Sequence, residues 1–295
     1  CALPISMATS IVGNVLSDAI ILCCCEVIMI LFQGLVEMAY FNPYWQQSAY
    51  LHKLDSPALP RLFISPASDN VKDSNDMMRE AIALTVSRSK RDIPHYYLQL
   101  DMVLDNTLTW INHYNADLPP SKRILSNAVI YSAIARALIS FPMFNGFYQD
   151  GHYQSSDTVH LGNTISLRQG GLMVVAIHNA QRLGLAELME KIKDQVNRAR
   201  NGGLRMSEMQ DATVTVSNLG DRGCDTIQSI IFPPQVAIIG IGRQRTVPWV
   251  IDNMVTSATI ISISLAADHR VSDGHSGALL LNKINKLLQT PERLV

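Results

Sequence analysis

The sequence predicts an α/β domain, and three observations carry that prediction. Apolar residues at helical spacing, such as Leu188, Ile192 and Val196 or Leu280, Leu281, Ile284, Leu287 and Leu288, alternate along the chain with short β-branched runs. Those runs, over 213–220, 236–242 and 259–267, are bounded by Gly, Pro, Asn or Asp, as strands are. The chain has 295 residues, enough for one large domain or two small ones and for a real core.

Composition narrows the function classes. The formal net charge is -1 and no basic block stands out, so nothing favours a nucleic-acid partner. The five cysteines sit at 1, 23, 24, 25 and 224. Three adjacent cysteines suit neither a disulfide framework nor a zinc knuckle. The reading is a reducing compartment, Cys224 as an ordinary thiol, and no metal site.

Residues 1–58 differ from the rest: no Lys or Arg precedes Lys53, and 11–36 is dominated by Ile, Leu, Val, Met and Cys. A membrane helix wants roughly 20 apolar residues with few charges. The run over 19–32 is short, carries Glu26, and lacks the basic flank of a signal or topology segment, which speaks against the membrane. Pro43, Pro57, Pro60 and Pro66 then mark an irregular arm. The expected division is an N-terminal extension and arm over 1–72, read as non-native or disordered with a membrane or signal segment and a packed arm as the alternatives, and a globular body over 73–295.

Within the body, Ser74, Asn75 and Asp76 can cap a helix to about Arg88, with Met78, Ile82 and Val86 on one face. Pro94 forbids its continuation. Tyr96, Leu98, Leu100, Met102 and Leu104 then alternate as a strand. His95, at the strand's entry, is either site-lining or structural, and the structural reading is favoured. Asp105 can cap a short helix through Tyr114. The helix over 126–139 is too apolar to face water and is expected to lie deep. Two strands, 159–167 and 171–177, carry His160 and His178 at structural or surface positions. An amphipathic helix over 185–200 follows, stopped by Asn201-Gly202-Gly203. In 213–220 alternation buries Val214 and Val216 and leaves Ser217 near the strand end, where a serine is by itself commonly a turn residue. A hairpin around Asp252-Asn253 leads into the last strand.

That strand ends in Asp268-His269-Arg270-Val271-Ser272-Asp273-Gly274, which opens the C-terminal helix. A neutral imidazole can take a proton near neutral pH, and a nearby carboxylate can fix its position. A structural histidine beside a helix-capping Asp is the competing reading. The heptapeptide resembles the active-site signature of the acyltransferase component of 2-oxo acid dehydrogenase complexes. Further runs resemble the same family in the same order. They are Ile93-Pro94-His95-Tyr96, Phe141-Pro142-Met143-Phe144-Asn145, Thr215-Val216-Ser217-Asn218-Leu219-Gly220 and Pro233-Pro234-Gln235. The Ile-Pro-His-Tyr form is more like the acetyl and branched-chain enzymes than the succinyl ones. Three departures stand out: Val175-Ala176 for Val-Pro, Ser272 for a hydrophobic residue or Ala, and Asp221-Arg222 for Met-Phe.

The resemblance implies a chloramphenicol-acetyltransferase-like, two-layer α/β sandwich with a mixed β-sheet packed by helices, assembled as a homotrimer and then a larger cage. It implies transfer of an acyl group, acetyl favoured, between dihydrolipoyl-lysine and coenzyme A as substrate. The lipoyl group would come on a lipoyl domain of another domain or chain. His269 is then the base and Ser217 the oxyanion donor. Asp273 holds the loop and the imidazole, while Arg270 and Asp268 fix the loop as ion partners. The histidine and serine would belong to different subunits. The competing function is a non-catalytic core scaffold. A bacterial cytoplasmic location is favoured over the mitochondrial matrix.

Overall fold

A computed structural model describes residues 74–295 except 168–170, 202 and 221–222. The expected extension and arm over 1–72 lie outside the described residues. The body is organised on a seven-stranded mixed sheet in the order β1-β9-β7-β6-β4-β5, with β8 paired to β9. Its strands are β1 (His95–Val103), β4 (Leu161–Ser166), β5 (Leu172–Ile177), β6 (Val214–Asn218), β7 (Ala237–Ile241), β8 (Arg245–Ile251) and β9 (Met254–Asp268). β4, β6 and β7 are parallel neighbours; β9 runs antiparallel to β1, β7 and β8. A separate hairpin joins β2 (Gly146–Gln149) and β3 (His152–Ser155). The helices are α1 (Ser74–Asp92), α2 (Asp105–Asn115), α3 (Ser126–Leu138), α4 (Leu185–Asn201), α5 (Met206–Gln210) and α6 (Gly274–Gln289). None among the described residues is long and apolar enough to cross a membrane.

Strand alternation gives the sheet two unlike faces. Val214, Val216, Ile239, Ile241, Ile263 and Leu265 join one core with α3, α4 and α6. Ten of the 13 residues of α3 are buried, which bears out its predicted depth. The other face carries Gln99, Asp101, Thr215, Ser217, Gly240, Ser262 and Ser264, and no helix contributes to its small cluster of Ile93, Ile231, Ile238 and Ala266. Asp225 and Ile227, between β6 and β7, lie against it. Ser264 Oγ donates to the Ile227 carbonyl there, and a Cβ at Gly242 would meet the Asp225 carbonyl oxygen at 1.9 Å. Only glycine allows that approach. The expected two-layer sandwich with a mixed sheet is therefore present, with α2, α3, α4 and α6 on one face.

Several local details differ from the sequence reading. α1 runs to Asp92 rather than Arg88, because Pro94 disturbs only the residues next to it. Ser89 is buried and its Oγ donates to the Ile231 carbonyl at 2.6 Å, tying the extra turn to the body. Of the expected apolar face of α1, Ile82 is exposed and Val86 is half-buried, so the described residues leave that face only partly covered. Asp105 does not cap α2: its carboxylate accepts the Thr259 N–H at 3.1 Å, and Leu104 holds the N-cap position without a side-chain bond. α5 and the β2–β3 hairpin, both short, escape periodicity. Glu208 in α5 pairs with Arg198 at 2.7 Å, and that hydrogen bond holds its carboxyl down at about 2.

Residues 254–259 of β9 pair only with β8. This ribbon turns at Asp252 and Asn253, both with left-handed φ (49° and 63°), the geometry a tight two-residue hairpin requires. Val250, Ile251, Met254 and Val255 are exposed along it.

Candidate active site

The turn after β9 is held from several sides. Asp268 is fully buried and faces His95 across the last row of the β1–β9 ladder. Its carboxylate accepts the Arg270 backbone N–H at 2.9 Å, Nε at 3.0 and 3.1 Å, and Nη2 at 2.6 Å. Such a bidentate pair is both strong and directional. The Arg270 guanidinium also lies 3.9 Å over the Tyr148 ring of the β2–β3 hairpin. The His269 N–H donates to the Pro94 carbonyl, and those of Val271 and Ser272 donate back to the Asp268 carbonyl. Asp268 and Arg270 are thus loop-fixing partners, as expected.

Asp273 is the N-cap of α6. Its carboxylate accepts the Ser276 N–H at 2.8 Å and hydroxyl at 2.7 Å. These bonds, the backbone one first, hold the carboxyl below its ordinary value. Asp273 makes no hydrogen bond to the His269 ring among the described residues; it fixes the loop. The neighbour of the imidazole is Tyr96, in an edge-on contact with centroids 5.0 Å apart and planes at 63°. The Tyr96 hydroxyl meets Ser272 Oγ at 2.8 Å and donates to the Asp273 carbonyl at 2.8 Å. Burial pushes its phenol upward, so it keeps its proton. His269 is exposed and its ring makes no hydrogen bond among the described residues.

His95 differs. Its Nε2 accepts the Ile231 N–H at 3.1 Å, so Nδ1 carries the proton and donates to the Ile93 carbonyl at 2.8 Å. Both ring nitrogens are spent, and burial lowers its pKa. His95 is structural. A cavity of about 480 Å³ beside the turn is lined by Arg270, Tyr148, Arg88 and Asp92, but not by His269. No group of three metal-ligating side chains occurs among the described residues.

Ser217 is half-buried near the end of β6, on the face opposite α3 and α4. Its hydroxyl has no hydrogen-bond partner among the described residues. Asn218 closes the turn beyond it, accepting the Gly220 N–H at 2.7 Å and donating to Asn127 at 3.2 Å. The sheet register separates Ser217 from His269. Ser217 sits opposite Gly240 and Gly240 opposite Ser264, five residues before His269. Two strand spacings and five residues of rise put the two on the order of 20 Å apart in one chain. β6 runs antiparallel to β9, so the two leave at opposite ends of the sheet.

Sequence reasoning missed the contact of Tyr96 with His269 and the bond between Tyr96 and Ser272. The available signal was register: alternation places Tyr96 on the helix-facing side of β1, next to the strand's entry.

Comparison with known proteins gives the family of the chain. The family model described as 2-oxoacid dehydrogenases acyltransferase (catalytic domain) matches residues 68–295. The dihydrolipoyllysine-residue acetyltransferase component of the pyruvate dehydrogenase complex of Zymomonas mobilis is 32% identical over 224 residues, covering 76% of this chain and 50% of that protein. The mitochondrial component 2 of Arabidopsis thaliana is 31% identical over 235 residues, covering 78% of this chain and 43% of that protein. The chain thus spans about half the length of such relatives. The solved Azotobacter vinelandii dihydrolipoamide acetyltransferase superposes with a TM-score of 0.70 at 23% identity, covering 81% of this chain and 99% of the other, and shares the fold. The chain belongs to the 2-oxoacid dehydrogenase acyltransferase family, whose catalytic domain it carries.

Proposed function

We propose that the chain transfers an acetyl group between a dihydrolipoyl-lysine and coenzyme A, at a site built from two copies of itself. His269 of one copy takes the proton of the attacking coenzyme A thiol, whose ordinary pKa of about 8.5 asks for only modest help from an imidazole. Carbon–sulfur bond formation at the acetyl carbonyl gives a tetrahedral oxyanion, to which Ser217 of the neighbouring copy donates. Collapse breaks the bond to the dihydrolipoyl sulfur, which recovers the proton from His269. No acyl-enzyme forms. Asp268, Arg270 and Asp273 hold the turn rigid while the proton moves.

The observation that carries this reading is a pair of groups without a hydrogen bond among the described residues: an exposed imidazole on a rigid turn, and a serine hydroxyl at the far end of the sheet. Spacing adds support. In the Azotobacter protein, a serine, a histidine 52 positions later and an asparagine four beyond that are studied for their role in the catalytic mechanism. Ser217, His269 and Asp273 have the same spacing, with Asp for Asn. The exposed ribbon of Val250, Ile251, Met254 and Val255 gives a second copy apolar surface to cover, in keeping with a homotrimer and a larger cage. The relatives' names place them in pyruvate dehydrogenase complexes, bacterial and mitochondrial; a lipoyl domain of such a complex is the proposed partner, and the bacterial cytoplasm the favoured location.

The test is transfer of acetyl from acetyl-dihydrolipoamide to coenzyme A. His269→Ala and Ser217→Ala assemblies are each expected to be nearly inactive. Co-assembled at equal amounts, they should regain roughly a quarter of native turnover, because a quarter of the interfaces pair an intact histidine with an intact serine. No turnover by the native assembly would favour the scaffold role. No recovery on co-assembly would put both groups in one copy.

A further inference from the structure

We propose that Tyr96 is the positioning residue for the His269 imidazole, and that the Ser272 hydroxyl is the latch that sets Tyr96. This deepens the proposed acetyl transfer and rests on His269 being its base. Three observations converge. The Tyr96 ring is the aromatic neighbour of His269, edge-on at 5.0 Å. That ring cannot swing freely, because its hydroxyl is bonded at 2.8 Å both to Ser272 Oγ and to the Asp273 carbonyl. The first turns of α6 also close over it: a Cβ at Gly277 would stand 3.3 Å from the Tyr96 hydroxyl and 2.7 Å from Leu98. Among the described residues the imidazole has no hydrogen bond of its own to fix its rotamer, so the tyrosine ring supplies the constraint.

The chain of restraint runs from the N-cap of α6 through Ser272 and the Asp273 carbonyl to the Tyr96 hydroxyl, and from its ring to the imidazole. Ser272 stands where the family usually has a hydrophobic residue or Ala. Its hydroxyl is not stranded; it converts one attachment of Tyr96 into two. Misplacing a reacting group by a fraction of an ångström lowers turnover without changing how substrates bind. The effect should therefore fall on kcat and spare KM.

The experiment measures kcat and KM for acetyl transfer to coenzyme A in full-length assemblies, alongside the rate at which diethyl pyrocarbonate modifies His269, mapped by mass spectrometry. Tyr96→Phe keeps the ring and loses both bonds; it should lower kcat about tenfold, leave both KM values within about twofold, and speed His269 modification. Ser272→Ala should lower kcat about threefold and Ser272→Thr should restore it. The double variant should be no worse than Tyr96→Phe alone, since that change already removes the latch. A rise in KM at unchanged kcat, additive losses, or native-like modification of His269 in Tyr96→Phe overturns the proposal. Modification needs no turnover. A native assembly inactive in acetyl transfer but with faster modification in Tyr96→Phe would therefore sink the reaction assignment and leave the contact standing.

Discussion

Two histidines sit at the same end of the sheet, His95 across the ladder from Asp268 and His269 one residue past it, and their circumstances are opposite. His95 gives one ring nitrogen to the Ile231 N–H and the other to the Ile93 carbonyl. His269 gives neither, and its backbone is pinned instead, by the Pro94 carbonyl and by the bonded Asp268–Arg270 turn. A histidine whose nitrogens are committed to buried backbone groups stabilises the fold. One held only through its backbone and an aromatic neighbour keeps its proton chemistry available.

Substitution should separate the two. The largest effect belongs to His269→Ala, expected to reduce acetyl transfer by about 10²–10⁴-fold while the thermal midpoint stays near native. Ser217→Ala should cost on the order of 10²-fold in kcat with equally little change in melting. Steady-state kinetics and a melting curve on the same samples check both, and a large stability loss in either would erase the contrast. His95→Ala should do the reverse. It leaves the buried Ile231 N–H without its acceptor, at about 1–3 kcal/mol in denaturant unfolding, with turnover of the surviving folded protein within about tenfold of native.

Acid provides a gentler probe. Burial lowers the His95 pKa below its unfolded value of 6.5, so between those two values the unfolded chain binds more protons than the folded one. Stability from the neutral ring is complete above pH 6.5 and declines as pH falls through that window. His160, lowered mainly by burial, adds a loss of the same sign. Unfolding curves of native protein and His95→Ala across this range should converge toward acid; parallel curves would refute the assignment. The smallest effect is expected at Asp273. Asp273→Asn should change unfolding by less than about 0.5 kcal/mol because Asn caps as well, whereas Asp273→Ala should cost about 1 kcal/mol.

What the sequence disclosed follows the range of the forces involved. The β9–turn–α6 junction was legible because a β-branched run, a capping Asp and helical spacing are local signals, and the depth of α3 because almost every residue in it is apolar. Asp105 was misjudged as a cap because its partner, Thr259, is remote in sequence and reaches it only once β9 is in place. The β2–β3 hairpin is four residues a side, too short for alternation to register. Among the site residues, His269 and Ser217 stood out by their motifs. Tyr96 did not: its part depends on strand register and on Ser272, whose hydroxyl looked like a mere departure from the family pattern. From residues alone nothing fixed the separation of Ser217 and His269 either, because strand order is a property of the whole sheet.

That separation has a kinetic corollary. On the proposed reading, a base and an oxyanion donor at opposite ends of one rigid sheet leave a lone chain with about a hundredth of native turnover or less. Newly made copies would be nearly silent until they meet, and specific activity would climb with a power of protein concentration above one before levelling off at saturation of assembly. Each closed ring would then carry as many sites as chains, and a single defective copy would disable two half-sites at once.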